Sequence, residues 1–309
     1  MPPFLRFLFK RFLWMLATLW VVFTVSFFLM RAIPGGPFAS ERNAPPEVEA
    51  NLRKKYGIDR PLFEQYLRTG VMLLQGDFGP SFKMEDYSVN EVIAEGLPKS
   101  ASLGILALWI ALLLGLPAGI LGAIHRGKLT DNLLMFLATA GIALPNFVIA
   151  SILILFFVIL IPVFPPGGWG GFSHLILPAF CLGAPFAAYV ARLTRTGMLE
   201  ILGQDYIRTA RAKGLSESKV ILRHALKGGL LPVVSFLGPA IAGILTGSLV
   251  IERIFFIPGL GTHFVQSAIN RDYTLAMGCV LLFTALVYAM NLLVDICYTV
   301  LDPRVGLEG

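Results

Sequence analysis

The run Gly122-Ala-Ile-His-Arg-Gly127-Lys128 fits G-x-x-x-x-G-K, the frame of a loop whose backbone N–H groups cradle nucleotide phosphates. Two requirements of that chemistry fail. Leu129 stands where the loop needs a Ser or Thr hydroxyl for magnesium, and the loop must follow a strand, whereas residues 101–124 form an uncharged apolar run. The segment is read as a basic exit turn of a membrane helix, and no cofactor is expected on this chain. His125, His174, His224 and His263 are scattered, and neither H-E-x-x-H nor G-x-S-x-G occurs, so no catalytic or metal constellation is expected. Cys181, Cys279 and Cys297 lie in apolar stretches without metal-ligand spacing and read as small packing residues. Asn291 and Asp295 fall on one face of a predicted helix. An acid within a membrane is expensive and functional by default. A proton relay is one reading of Asp295. An acid near the cytoplasmic helix end, within reach of water and paired with a neighbouring helix or subunit, is the other, and its place near the end favours it.

These residues are set in a chain that is not built for water. Of 309 residues, 56% are hydrophobic and 14% charged, against about 25% charged in soluble domains. Mean hydropathy is +0.75 and the pI is near 9.3. Basic residues cluster without a stripe of neighbouring exposed aromatics, which argues against nucleic acid and for a membrane protein obeying the positive-inside bias.

A crossing helix needs about 20 apolar residues, and lipid forces every backbone polar group to be satisfied within the element. The first span is predicted over 12–31. Its uncharged run, Phe12 to Met30, is too long for a signal-peptide core and lacks a small-x-small cleavage site, so it reads as uncleaved. The second is predicted over 100–124. From Asn132 to Ala191 no Asp, Glu, Lys or Arg occurs, which is room for two spans. The break is Phe164-Pro-Pro-Gly-Gly-Trp-Gly-Gly171, giving a third span of at most 132–163, with a bend at Pro145, and a fourth over 173–194. The fifth is predicted over 228–251 and the sixth over 273–300. Gly115-x-x-x-Gly119 and Gly243-x-x-x-Gly247 allow close helix approach. Pro117, Pro232 and Pro239 can bend spans two and five.

Segment 192–227 carries Arg192, Arg195, Arg208, Arg211, Lys213, Lys219, Arg223 and Lys227 against Glu200, Asp205 and Glu217. The N-terminal tail and the 125–128 link are also basic, while 32–98 has more acids than bases. Both termini are therefore expected in the cytoplasm and 32–98 outside. The fold class is all-α, a polytopic membrane bundle of six transmembrane helices. Its parts are a tail and first span (1–31), an extracytoplasmic segment (32–98), and a five-span core (99–309) with a cytoplasmic loop at about 195–227. Within the outer segment, 47–56 and 62–75 read as short helices, and its length exceeds that of a simple connector. It reads either as a docking element or as a cap on the bundle.

The loop is the most informative stretch. Residues 204–213 are good helix formers, Gly214 can end that helix, and a second helix follows with Val220, Ile221 and Leu222 near its start. A helix–Gly–helix hairpin presents a compact surface suited to a soluble partner.

Here the sequence resembles the membrane subunits of binding-protein-dependent ABC importers. Their signature loop has a Glu-Ala-Ala triplet, then Gly four residues after its last Ala. Matching on Gly214 puts Arg208, Thr209 and Ala210 at the triplet, without the Glu. The peptide and nickel branch is more similar, through Arg208-Thr-Ala-Arg-Ala-Lys-Gly214 and Arg223-His-Ala-Leu226, although Gly228 stands where that branch usually has Pro. Arg31-Ala-Ile-Pro-Gly-Gly-Pro37, Gly76-Asp-Phe-Gly-Pro-Ser-Phe82, Asp86-Tyr-Ser-Val-Asn90, Ile257-Pro-Gly-Leu-Gly261, Asn270-Arg-Asp-Tyr273 and the ending Asp302-Pro303 resemble the oligopeptide permeases, the first of their two membrane subunits in particular. The resemblance implies a type I importer permease fold in a bacterial inner membrane. It implies a second homologous permease subunit, two ABC ATPase subunits that bind ATP and Mg, and an extracytoplasmic peptide-binding protein. It implies that Asp205, Tyr206, Arg208, Thr209, Ala210, Arg211, Ala212, Lys213 and Gly214 dock the ATPase and couple it to transport. Substrate-contacting residues are not assigned by it. Dipeptides, nickel or another small solute are alternative cargoes, and an ion-coupled secondary transporter is an alternative class.

Overall fold

The structure, a computed structural model, describes residues 3–34, 36–37 and 46–301. Gly35 and the Asp302-Pro303 ending lie outside the described residues, as do the side chains of Pro239, Gly247 and Cys297. The described chain is helical: α1 Pro3–Ala32, α2 Pro46–Lys55, α3 Leu62–Leu74, α4 Val89–Ile124, α5 Leu129–Ala143, α6 Asn146–Leu160, α7 Ser173–Leu202, α8 Asp205–Ala212, α9 Glu217–Gly229, α10 Leu231–Ile254, α11 Leu260–Asn270 and α12 Tyr273–Leu301. Helices α1, α4, α7 and α12 are each long and apolar enough to cross a membrane. The bent pair α5 with α6 passes the same test as one span, and α10, bent by 42° from α9, takes the place of the predicted fifth, so that by length and composition the described helices supply up to six spans.

The bend between α5 and α6 is 105°, far steeper than a proline kink. Leu144 is extended (φ −85°, ψ 125°), as a residue before proline prefers, and Pro145 begins the next helix without an N–H to donate. Two half-length helices thus occupy the third predicted span. Helix α4 starts well before the predicted 100, because Ser88 and Glu91 form a capping box. The Ser88 N–H donates to the Glu91 carboxylate at 2.8 Å, and the Glu91 N–H donates to Ser88 Oγ at 3.2 Å. The link after the fifth span holds a helix of its own, α11, rather than a bare turn.

Two compact units emerge, residues 1–100 with 258–288 and residues 101–257 with 289–309. In the first, Phe23 and Phe27 of α1 pack against Tyr66 of α3 and Met277 and Leu281 of α12. Motifs 76–82 and 86–90 fold into one turn: Asn90 accepts from the Phe78 N–H at 2.9 Å and donates to the Gly76 carbonyl at 2.7 Å. Asp272 caps α12, accepting from the Leu275 N–H at 3.2 Å, and also accepts from the Phe82 N–H at 3.1 Å and the Ser81 hydroxyl. A second core joins Val89, Val92 and Ile93 of α4 to Leu260 and Cys279.

In the second unit α7 is the hub, and its buried face is mostly small: Ala179, Cys181, Gly183, Ala187, Ala188, Ala191 and Gly197. Lipid tails are as apolar as side chains, so helices associate there through close packing rather than escape from water. The Gly115/Gly119 reading holds. A Cβ at Gly115 would stand 2.6 Å from the Ala187 carbonyl oxygen, and one at Gly119 2.5 Å from that of Ala191. At Gly243 a Cβ would stand 3.0 Å from the Phe186 ring.

Replacing Gly119 with Leu is expected to force α4 from α7 and destabilise the subunit by about 1–3 kcal/mol. Thermal-shift measurement in detergent checks this, with Gly171→Ala as control, since no atom lies within 4 Å of a Cβ there.

Candidate functional site

Helix α7 leads through Gly203 and Gln204 into α8, whose eight residues are Asp205–Ala212. Ile207 and Ala210 of α8 are buried in a small core with Ala123, Met198, Val220 and Ala225. This core seats the hairpin on the end of α7. Of the candidate residues, Asp205, Tyr206, Arg208, Thr209, Arg211, Ala212, Lys213 and Gly214 are exposed, and Ala210 alone faces inward. Ala210 therefore acts on the packing of the hairpin itself, and Ala212 is the small residue on its outer face.

Gly214 ends α8 in the left-handed region (φ +77°). The Gly214 N–H donates to the Arg211 carbonyl at 2.9 Å and the Leu215 N–H to that of Ala210 at 3.4 Å, the paired bonds of a Schellman motif. Arg211 then clamps the next helix, reaching Glu217 through Nε at 3.1 Å and Nη2 at 2.5 Å. This hydrogen-bonded guanidinium holds the Glu217 carboxyl below the usual carboxylate range. Arg208 lies 3.3 Å from Asp205 with both groups well exposed, a pair that contributes little to stability. Helix α9 widens to π-type turns over Val220–Ala225, burying Val220 and Ala225 while Leu222 stays exposed. Gly228, the departure noted above, lies against Ile201, whose Cδ1 would be 2.9 Å from a Cβ. The chain bends by 42° before α10.

Behind the hairpin lies an ion pair that the sequence reading missed. Asp131 in the first turn of α5 is buried and binds Arg195 of α7 in two places, Nε to Oδ1 at 2.6 Å and Nη2 to Oδ2 at 2.7 Å. The Gly127 N–H also donates to Asp131, at 2.9 Å. The apparent phosphate-loop glycine thus gives its N–H to a carboxylate of its own chain. The available signal was partial: Asp131 stands at the start of the uncharged run 132–191, but the base at its other end is Arg192, and Arg195 lies one turn further on. Asn291 lies beside Gly238 of α10, its Oδ1 3.0 Å from where a Cβ would stand, and Asp295 is half-buried one turn on. Among the described residues no three His, Cys, Asp or Glu side chains gather as metal ligands.

Apolar helices joined through small residues, with a basic hairpin seated on the end of α7, define a multi-pass helical membrane protein. Residues 115–307 match the family described as binding-protein-dependent transport system inner membrane component, and residues 4–104 its N-terminal companion. The chain belongs to this family. It is 47% identical over 303 residues to the oligopeptide transport system permease protein OppB of Haemophilus influenzae, covering 97% of this chain and 99% of that one. It is 46% identical to the Escherichia coli K12 OppB, with the same coverage, and 44% identical to the dipeptide permease DppB of Bacillus subtilis, covering 98% of each chain. The fold is that of a solved subunit of the inward-facing MetNI methionine ABC transporter (TM-score 0.59, 18% identity), over 68% of this chain and 96% of that one. The chain is thus a multi-pass inner-membrane protein, and the all-helical importer-permease expectation is borne out.

Substituting Gly214 with Val is expected to cost about 1–2 kcal/mol locally, because a side chain strains the left-handed conformation. Asn, which tolerates it, should cost less. Hydrogen exchange checks this, with faster exchange of the Leu215 amide and of the amide at position 214 in the Val variant only.

Proposed function

We propose that this chain is one of two membrane-spanning subunits of an ATP-driven importer for oligopeptides. The near full-length identity with oligopeptide and dipeptide permeases carries this reading. The partners are a second homologous permease subunit, two ABC ATPase subunits and an extracytoplasmic peptide-binding protein. ATP and Mg are bound by the ATPase subunits, and hydrolysis is theirs.

The α8–Gly214–α9 hairpin faces the cytoplasm and sits in a cleft of an ATPase subunit. Its exposed face (Asp205, Tyr206, Arg208, Thr209, Arg211, Ala212, Lys213) makes the contact, while Ala210 and Gly214 keep the hairpin rigid. Rigidity is what the role demands, since a loose loop would absorb the ATPase movement. The small core around Met198 and the Arg211–Glu217 clamp support it. Both termini are cytoplasmic, segment 32–98 lies outside and helps dock the binding protein, and cargo passes between the two permease subunits by alternating access. Dipeptide cargo is the second reading, favoured by the 44% identity to a dipeptide permease. A proton relay through Asp295 belongs to the alternative class of ion-coupled transporter.

Purification in mild detergent from the native membrane tests this reading. The expected product contains a second permease chain and two ATPase chains, and its ATP hydrolysis rises severalfold on adding peptide-loaded binding protein. A lone chain that transports without ATP, driven by an ion gradient and inactivated by Asp295→Asn, would contradict it.

A further inference from the structure

A cavity of about 110 Å³ lies within the first unit, between the end of α1, residues 55–60, one side of α3, the 78–82 turn and the start of α12. Arg31, Lys55, Arg60 and Arg68 line it, and among the described residues no Asp or Glu does. Among the described residues only Arg60 of these has a carboxylate partner, Glu64 at 2.6 Å. Arg31 is held in place: its Nε donates to Gln65 Oε1 at 2.9 Å and its guanidinium lies 3.5 Å from the Phe27 ring centroid. Gln65 is itself buried and fixed, donating to the carbonyls of Ile58 at 3.0 Å and Arg60 at 2.7 Å. Tyr273 also lines the cavity. It is 6% exposed, and its hydroxyl has no hydrogen-bond partner among the described residues, although a buried phenol normally finds one.

Guanidinium groups and an unused hydroxyl donor around one small cavity make a receptor for an oxyanion. Two observations choose its source. The volume is well below the roughly 300 Å³ of a small-molecule site, which suits one carboxylate and not a whole peptide. Helix α3 also divides the cavity from an apolar groove on its opposite face, lined by Trp20, Phe23, Leu67, Val71 and Leu281. The cations therefore lie on the side of α3 away from the surface suited to acyl chains.

We propose that this cavity is a socket for one acidic side chain of the extracytoplasmic binding protein. The inference rests on the docking role given above to segment 32–98. It assigns that role to Arg31, Arg68 and Tyr273, with Gln65 as a positioning residue. Arg31, held by Gln65 and the Phe27 ring, is the anchor of the socket, and a partly desolvated Arg of this kind is a frequent hot spot of protein interfaces.

The test uses the complete complex in nanodiscs and measures the Kd of the binding protein by biolayer interferometry. Arg68→Gln and Tyr273→Phe are each expected to weaken binding about tenfold, with basal ATPase activity unchanged. The Phe variant removes a single oxygen and keeps the fold. Arg68→Glu should bind more weakly still and be rescued by one acid-to-Lys change on the binding protein. If wild type binds and both variants bind equally well, the socket is overturned while the docking reading stands. If the wild-type complex binds no such protein, the docking reading itself fails. Glu41 lies between Pro37 and Pro46, outside the described residues, and an equal defect in Glu41→Gln would assign the cations to a carboxylate of this chain and overturn the proposal. So would loss of co-purifying phospholipid in native mass spectra with unchanged affinity, which would mark a lipid phosphate site.

Discussion

The close approach of α4 to α7 is the contact on which the second unit depends. Lipid offers no hydrophobic drive for helices to meet, so their affinity comes from backbone surfaces brought within van der Waals range. Gly115 and Gly119 on one side, and the Ala-rich face of α7 on the other, supply that approach. Once α7 is fixed, Asp131 can reach Arg195 and tie it to α5. In a low-dielectric setting a bidentate pair is oriented strongly but desolvated at a cost. Its contribution is therefore read as register, holding α7 in one rotation, more than as net stability.

That rotation matters because α7 continues directly into the hairpin. Met198, on the buried side of α7, lies in the same small core as Ile207, Ala210, Val220 and Ala225. The Schellman turn at Gly214 and the Arg211–Glu217 clamp then set the angle between α8 and α9. A chain of rigid connections thus runs from the membrane helices to an exposed basic surface. The lever proposed for coupling needs such a chain, since force applied at the surface must reach the spans before it is lost in loop motion.

Much of this was legible in the sequence because membrane helices are read by length and charge alone. The spans, the short helices near 46–55 and 62–74, the bend at Pro145 and the Gly-terminated hairpin follow from patterns whose physics is local. The rest depended on distance in the chain. Asp131 and Arg195 are 64 residues apart, and nothing local says they meet. Asp272 joins α12 to a turn about 190 residues earlier, and its motif was visible while its capping role was not. The early start of α4 is different: the Ser88-x-x-Glu91 box is a local signal, but it precedes the apolar run by about ten residues, and hydropathy marks only the run. Ala210 was grouped with the surface residues of the hairpin, and only the three-dimensional packing separates it from Ala212.

The most direct measurement is disulfide or bifunctional cross-linking from single cysteines at the hairpin to the ATPase subunit, in a background lacking the three native cysteines. Ala212→Cys is expected to cross-link in the assembled complex, with a yield that changes on adding ATP, while the inward-facing Ala210→Cys stays unreactive. Equal reactivity at both positions, or no cross-link at 212 in a complex that still hydrolyses ATP in response to peptide, would contradict the account of the hairpin as a rigid coupling element.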